Sequence, residues 1–511
     1  QQLTPDDDIL VKWDLLKIKI KEFSVDYSKT KSNRNRNALL QLYNELNDLD
    51  VALGVNPHCV ETMQKREHAK LKIELQEQHR ARAAQVRSRA RWVEHGEKNT
   101  KYFLNLEKSH ANSKIMTTLL DESGQLHEDQ NKIMEIQKTY YTQLYNKRID
   151  EKQMNDKINA FLGDTHTPKL TENQKESCEG IILYKEIQVA LKEMKNGSAP
   201  GIDGITIEFI KMFWSHLGEF MTQTFNVAYD TGKLSTTQCK AVITLIHKGK
   251  DLPRNQLKNW RPISLTNSDY KLLAKCLAIR LSGVIQSVVN EDQVGFVKGR
   301  KAATLLRVID DVCDQMDKID KPGILLTIDY RQAFDRISKE FMLSAFEKFG
   351  FGPSFIQWVK ILMFDSKSCI TYCGWLSEFF PVECGIRQGC PFSPLAFVLA
   401  IELIAIKIRN CENIKGIQHW KTDTVNFEEI IKIALYADDV TLFLSDERDV
   451  FHALQIFDSF SKISGLEVNK QKSEAMYLGN KKNCTDQIFG FTLTTKLKIL
   501  GIYFSNTQSA S

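Results

Sequence analysis

Ile433-Ala434-Leu435-Tyr436-Ala437-Asp438-Asp439-Val440-Thr441-Leu442-Phe443-Leu444 sets two adjacent carboxylates between two apolar runs. Short apolar runs around a polar break predict a tight hairpin with Asp438 and Asp439 at its tip. Side-by-side carboxylates repel, and loss of water strengthens the repulsion. Such a pair persists where a cation neutralises it or where it stays wet. Hard oxygen ligands at this density suit Mg²⁺, which takes one or two carboxylates together with substrate phosphates. Alone, the pair reads most simply as a solvated Asp-Asp turn. A third carboxylate upstream argues for the cation.

That third acid is Asp329, in Gly323-Ile324-Leu325-Leu326-Thr327-Ile328-Asp329-Tyr330. A run rich in Ile and Leu leads straight into it, the pattern of a buried strand ending in a carboxylate. Only folding can bring Asp329 to Asp438 and Asp439. Three carboxylates at neighbouring strand ends can hold two metal ions, roughly 3.5–4 Å apart, which serve the attacking and leaving oxygens of an in-line displacement at phosphorus. Phosphoryl transfer is catalysed mainly by positioning and charge stabilisation. The pattern therefore points to a polymerase or a nuclease.

Asp329-Tyr330-Arg331-Gln332-Ala333-Phe334-Asp335 resembles the first acidic motif of reverse transcriptases, and Tyr436-Ala437-Asp438-Asp439 resembles the second. Between them, Gly385-Ile386-Arg387-Gln388-Gly389-Cys390-Pro391-Phe392-Ser393-Pro394-Leu395 is similar to the family's Gly-rich template and nucleotide motif. Order and spacing agree as well. Within the family the likeness is to non-LTR (LINE-type) retrotransposons of the apurinic-endonuclease class. It is strong from Asn196 to Phe504 and looser before.

The resemblance implies an α+β right-hand polymerase, palm and fingers, preceded by an α-helical extension. It implies an RNA-directed DNA polymerase that extends a DNA primer or nicked target along an RNA template with deoxynucleoside triphosphates and two Mg²⁺ ions. Asp329, Asp438, Asp439 and the Tyr330 carbonyl would hold the metals. Phe334 matches the position beneath the incoming sugar, where a ring excludes a 2′-hydroxyl; packing in the core is its plain alternative. Gln388 and Gly389 match residues facing nucleotide and template. Lys472, in Gly465-Leu466-Glu467-Val468-Asn469-Lys470-Gln471-Lys472-Ser473, would serve the departing pyrophosphate. Lys248, Arg261 and Arg300 are candidate contacts to template backbone or triphosphate, though any of them can equally be a surface cation. Asp335 and Arg336 are expected to make a local ion pair. Lys498 to Phe504 looks like the primer-grip hairpin. A viral RNA-copying RNA polymerase is disfavoured by Phe334 and by Ala437 before the paired acids.

Gly385 and Gly389 permit backbone conformations closed to other residues. Ser393-Pro394 reads as a helix start with Ser as cap. The apolar stretch Leu395 to Ile408 is too short for a membrane span and is interrupted by Glu402 and Lys407, so a buried helix is expected. Upstream, Ala241 to Lys250 reads as a strand ending in a basic turn, with a helix expected from Asp269 to Val289.

The N-terminal third shows helical periodicity. Ile9, Trp13, Leu16, Ile20 and Phe23 form one apolar face, and Leu39, Leu42, Leu46, Leu49 and Leu53 another. With the polar 28–37 stretch as a loop, they predict a helical hairpin. A further helix over 61–94 carries Arg80, Arg82, Arg87, Arg89 and Arg91, a solvated face or a contact to nucleic-acid backbone. Arg89 to Trp92 and Gly96 to Phe103 resemble the family's linker between endonuclease and polymerase. The loop Asn196 to Gly204 resembles an N-terminal motif used in RNA template binding, with Asp203 expected to cap the next helix.

The expected organisation is a helical RNA-binding extension (1–145), a linker (146–173), an N-terminal extension of the reverse transcriptase (174–226) and the polymerase domain (227–505). Neither an endonuclease nor a thumb is legible, so a fragment is expected, with an inactive, RNA-binding remnant as the alternative to an active polymerase. The net charge of +5 over 511 residues is mild, so local basic patches matter more than the total. Eleven cysteines show no zinc-finger spacing and are expected to be free thiols. No signal peptide or membrane span is legible, and the resemblance implies a ribonucleoprotein of nucleus and cytoplasm.

Overall fold

The computed structural model describes residues 8–88, 116–150, 152–249, 251–420, 428–485 and 487–506. Its first element is a single helix, Ile9–Val55, of 47 residues, opened by the Asp8 carboxylate accepting from the Leu10 N–H at 3.0 Å. The expected loop at 28–37 is absent. That stretch is polar but holds neither Gly nor Pro, so nothing in it stops a helix already running. The chain reverses at 56–59 and returns along the second helix, Val60–Ser88, which buries Ala69 and Ile73 as the first helix buries Leu39. The side chains of 81–88 and all of 89–115, including Arg89, Arg91 and the linker-like segment, lie outside the described residues.

The long helix is fastened near its start. Trp13 and Lys17 are buried and donate to the Asp269 carboxylate at 2.7 and 2.8 Å, while Asp14 accepts from the Ser235 hydroxyl at 2.8 Å and the Thr237 N–H at 3.1 Å. Burial works against the Lys17 charge, but Asp269, Asp203 and Asp14 together outweigh it and hold its pKa above the usual lysine value. Asp203 therefore belongs to this cluster. Thr206 caps the following helix, Ile207–Met212, through the Phe209 N–H.

Among the described residues two five-stranded sheets dominate the rest, beside three two-stranded ones. One has five strands in the order Ile433–Tyr436, Asp439–Leu444, Gly323–Ile328, Glu474–Leu478, Thr492–Leu493, antiparallel except for the last pair. Alternation along the strands fills both faces. Ile324, Leu326, Ile328, Val440, Leu442 and Leu444 join a core shared with the helices Ser393–Arg409 and Glu447–Ser464. Leu325, Phe443 and Met476 point the other way, against Leu305, Ile309 and Val312 of the helix Ala302–Ile319. Helix Ser393–Arg409 is buried nearly throughout. Its cap is Phe392, without a side-chain hydrogen bond, and Ser393 already lies inside it, one place later than expected.

The second sheet sets Trp260–Thr266 against Lys240–His247, which pairs in parallel with Lys367–Tyr372. Helix Gln130–Leu144 covers it, packing Ile133, Tyr141 and Leu144 with Ile243, Trp260 and Ile370. The end of the expected N-terminal extension is thus continuous with the sheet. The expected linker also folds: helix Met154–Leu162 buries Met154, Ile158 and Leu162 in the main core. Three apolar residues at spacings of four are enough to seat a short helix. The chain is an α+β protein with antiparallel-rich sheets. All eleven cysteines are free, and no described helix is long and apolar enough to cross a membrane.

Candidate active site

The paired acids form at a hairpin, as the sequence predicts. Tyr436 pairs with Asp439, and Ala437 takes a left-handed φ of 57° to make the turn. The neighbouring strand pairs Val440 with Ile328, so one step further the register sets Asp439 across from Asp329. Burial raises the Asp438 pKa and the Asp329 charge adds to it, against the lowering effect of its own N–H and of Arg261. Asp439 stays open at the strand's mouth. Partial loss of hydration, then Asp438 and Asp329, push its pKa up to about 6. The three carboxylates therefore sense one another. Among the described residues no three His, Cys, Asp or Glu side chains converge into a finished metal cluster. The donor set, hard oxygens in mutual repulsion, is of the kind a divalent cation relieves.

Asp329 is held by the segment that follows Gly465. Its N–H donates to the Ser473 hydroxyl at 3.0 Å, and its carboxylate accepts from the Asn469 side chain at 3.1 Å. Asp329 and Asp438 open onto a cleft of about 850 Å³ that Lys248, Arg261, Tyr330, Phe334, Gln388, Gly389 and Lys472 also line. Folding thus gathers nine of the residues singled out in the sequence on one cavity. Burial, then Lys472 and Arg261, depress the Lys248 pKa. Lys248 and Arg261 reach the cleft from the sheet of Lys240–His247 and Trp260–Thr266, whereas Lys472 belongs to the segment that also holds Asp329.

Gly-rich geometry closes the floor. Gly385 has φ 76°, and a Cβ there would lie 2.6 Å from the Asp335 carbonyl. Its N–H donates to the Ile337 carbonyl, and that of Ile386 to the Phe334 carbonyl, both at 2.7 Å. The Phe334 ring stacks on Phe397 at 4.6 Å and is half-buried, so it both packs and faces the cleft.

Several expected partnerships differ. Arg336 pairs with Glu467 at 2.9 Å rather than with Asp335. Asp335 accepts instead from the Tyr145 hydroxyl at 2.9 Å and the Gln388 amide at 3.0 Å, and burial pushes its pKa up to about 7. Arg387 lies over the Tyr270 ring at 4.7 Å and donates to the Cys239 carbonyl, a packing role. Arg300 does not line the cleft. Its guanidinium donates to the carbonyls of Val289, Asn290 and Gln293. Sequence reasoning missed Gln293, Asn469 and Tyr145. Asn469 sat inside a motif already quoted; Tyr145 carried no local signal.

Residues 246–504 match the family model described as reverse transcriptase (RNA-dependent DNA polymerase). The chain belongs to the reverse transcriptase family. The reverse transcriptase region holds every cleft-lining residue named above. Over 475 residues, 92% of the chain and 35% of that protein, it is 29% identical to the transposon TX1 uncharacterized 149 kDa protein of Xenopus laevis. It is 27% identical over 295 residues (57% of the chain, 39% of that protein) to a retrovirus-related Pol polyprotein from type-1 retrotransposable element R2 of Popillia japonica. It is 25% identical over 218 residues (42% and 24%) to the probable RNA-directed DNA polymerase from transposon X-element of Drosophila melanogaster. These are non-LTR retrotransposon relatives, as the motifs led one to expect. The chain spans about a third of the length of the first two.

Proposed function

We propose that this chain is the RNA-directed DNA polymerase of a LINE-type retrotransposon, extending a DNA 3′-hydroxyl along an RNA template with deoxynucleoside triphosphates. One observation carries the reading: Asp329 and Asp438, from two distant motifs, line one cleft with Lys248, Arg261 and Lys472, and the strand register sets Asp439 across from Asp329. Opposite charges lining one cleft suit a substrate that brings both a triphosphate and metal ions. The sheet bearing the acids is then the palm, and the sheet of Lys240–His247 and Trp260–Thr266 belongs to the fingers.

Two Mg²⁺ ions, held by Asp329, Asp438, Asp439 and the Tyr330 carbonyl, would supply an activated attacking oxygen and charge stabilisation at phosphorus. The chain's own groups do the rest. Lys248 and Arg261 draw the triphosphate against the fingers wall. Lys472 stands where it can neutralise or protonate the departing pyrophosphate. Phe334, braced by Phe397, presents an edge that excludes a ribose 2′-hydroxyl. Gln388 and Gly389 face nucleotide and template. Arg300 drops out of the contact set because it does not line the cleft and its Nη1 and Nη2 groups donate to carbonyls of its own loop. The hairpin Lys496–Ile499 with Ile502–Ser505 exposes Ile502 and Tyr503 and serves as the primer grip. The helical residues before 174 contribute RNA binding, and the working form is a ribonucleoprotein of nucleus and cytoplasm.

Primer extension on an RNA template with Mg²⁺ and deoxynucleotides tests this, with Asp438→Ala alongside. DNA product from the parent and none from the variant is the expected result. RNA binding without product from either protein refutes it in favour of a binding remnant.

A further inference from the structure

Gln293 is fully buried, yet it is a polar residue in a loop between helices. Its side-chain carbonyl accepts two main-chain hydrogen bonds, from Gly295 N–H at 2.9 Å and from Ala437 N–H at 3.0 Å. Ala437 is the left-handed residue immediately before Asp438. The main chains run together there: Leu435 N–H donates to the Asp292 carbonyl and Val294 N–H to the Leu435 carbonyl, each at 2.9 Å. Gly295 allows the approach, since a Cβ would stand 2.3 Å from the Ala437 nitrogen.

The loop is itself braced from two sides. Arg300 gathers the carbonyls of Val289, Asn290 and Gln293. Arg409, on the buried helix, grips Asp292 with two hydrogen bonds of 2.6 and 2.9 Å and pairs with buried Glu402 at 2.7 Å. Glu402 also accepts from the Asn290 N–H at 3.2 Å. A plain core residue would be apolar here. The Gln293 Nε2 finds no partner among the described residues, so the buried amide is not explained by its own satisfaction. What it supplies is an acceptor at one point, the N–H of a turn that would otherwise be an unpaired buried donor.

We propose that Gln293 is a positioning residue that fixes the turn carrying Asp438 and Asp439, with Arg300 and the Glu402–Arg409–Asp292 chain holding it in place. The proposal rests on the polymerase reading of those acids but is separable from it. Gln293→Met keeps length and removes the acceptor. Gln315→Met, at a buried glutamine on the helix Ala302–Ile319 whose amide donates to the Gln418 carbonyl, controls for loss of a buried amide.

Amide hydrogen exchange resolved at Ala437 is read together with kcat, the KM for deoxynucleotide and melting temperature. In Gln293→Met, Ala437 exchange accelerates by about tenfold, the size expected for one lost hydrogen bond. kcat falls by about tenfold to a hundredfold, as misplacement of catalytic groups does, while KM stays within about twofold of the parent. Gln315→Met leaves both Ala437 exchange and kcat unchanged. Unaltered exchange at Ala437, or an equal loss of kcat in both variants, overturns the proposal. A parent that makes no DNA refutes the polymerase reading instead, and the exchange result then decides on Gln293 alone.

Discussion

Asp335→Asn should make the protein more stable, and more so at alkaline pH. The carboxyl is buried, 2% exposed, between the Tyr145 hydroxyl and the Gln388 amide. Burial lifts its pKa from 3.8 to about 7. The folded state therefore holds this proton more tightly than the unfolded chain. Its contribution to stability is fully present below about pH 4 and is lost as pH rises towards 7. One pKa unit corresponds to about 1.4 kcal/mol, so the penalty approaches roughly 4 kcal/mol at pH 8 but only about 1.7 kcal/mol at pH 5. Asparagine carries no charge at either pH. Urea unfolding at pH 5 and pH 8 should show the variant gaining about 2–3 kcal/mol more at the higher pH. The same change removes the ionised acceptor that holds Gln388, so the KM for deoxynucleotide should rise. Equal stability differences at the two pH values would refute the reasoning, because a lost contact or an altered packing volume does not titrate.

Three other substitutions test separate parts of the structure. Phe334→Ala should lower the discrimination between deoxy- and ribonucleotides by about tenfold or more in kcat/KM; an unchanged ratio returns the ring to packing against Phe397. Lys17→Met should destabilise the fold by about 3–5 kcal/mol in denaturant unfolding, since it leaves Asp269 buried without its cation; a loss under about 1 kcal/mol would show the helix start to be held by apolar contacts alone. Gly385→Ala should cost about 1–3 kcal/mol from its positive φ alone and displace the Asp335 loop, checked by melting temperature and by kcat; a variant with parental values of both would contradict the close approach of Gly385 to that carbonyl.

The parts of the site that could be read from sequence were those written in local patterns. The acids announce themselves because each ends or joins an apolar run, and a strand's alternation says which way the chain points. Gly385 and Gly389 are legible because few other residues adopt their backbone. Arg300 misled for a physical reason: a guanidinium near a basic motif looks alike whether it faces phosphate or three carbonyls of its own loop. Gln293 and Tyr145 were invisible because their meaning lies in what folding sets opposite them, a turn and a carboxylate far along the chain. The 28–37 stretch looked like a loop because its composition is polar, but polarity does not end a helix in the absence of a breaker. Residues 146–173 looked like a linker because apolar residues are few there, although three well-spaced ones suffice.

The fastening of the long helix at Lys17 has a mechanical side. From Lys17 to Val55 the helix runs about 57 Å at 1.5 Å per residue. The far end thus stands a long way from the ammonium among three carboxylates that fastens the start. Each degree of tilt there carries the tip about 1 Å, given that length. A tilt of a few degrees about that point would carry the outer helix pair by several ångströms.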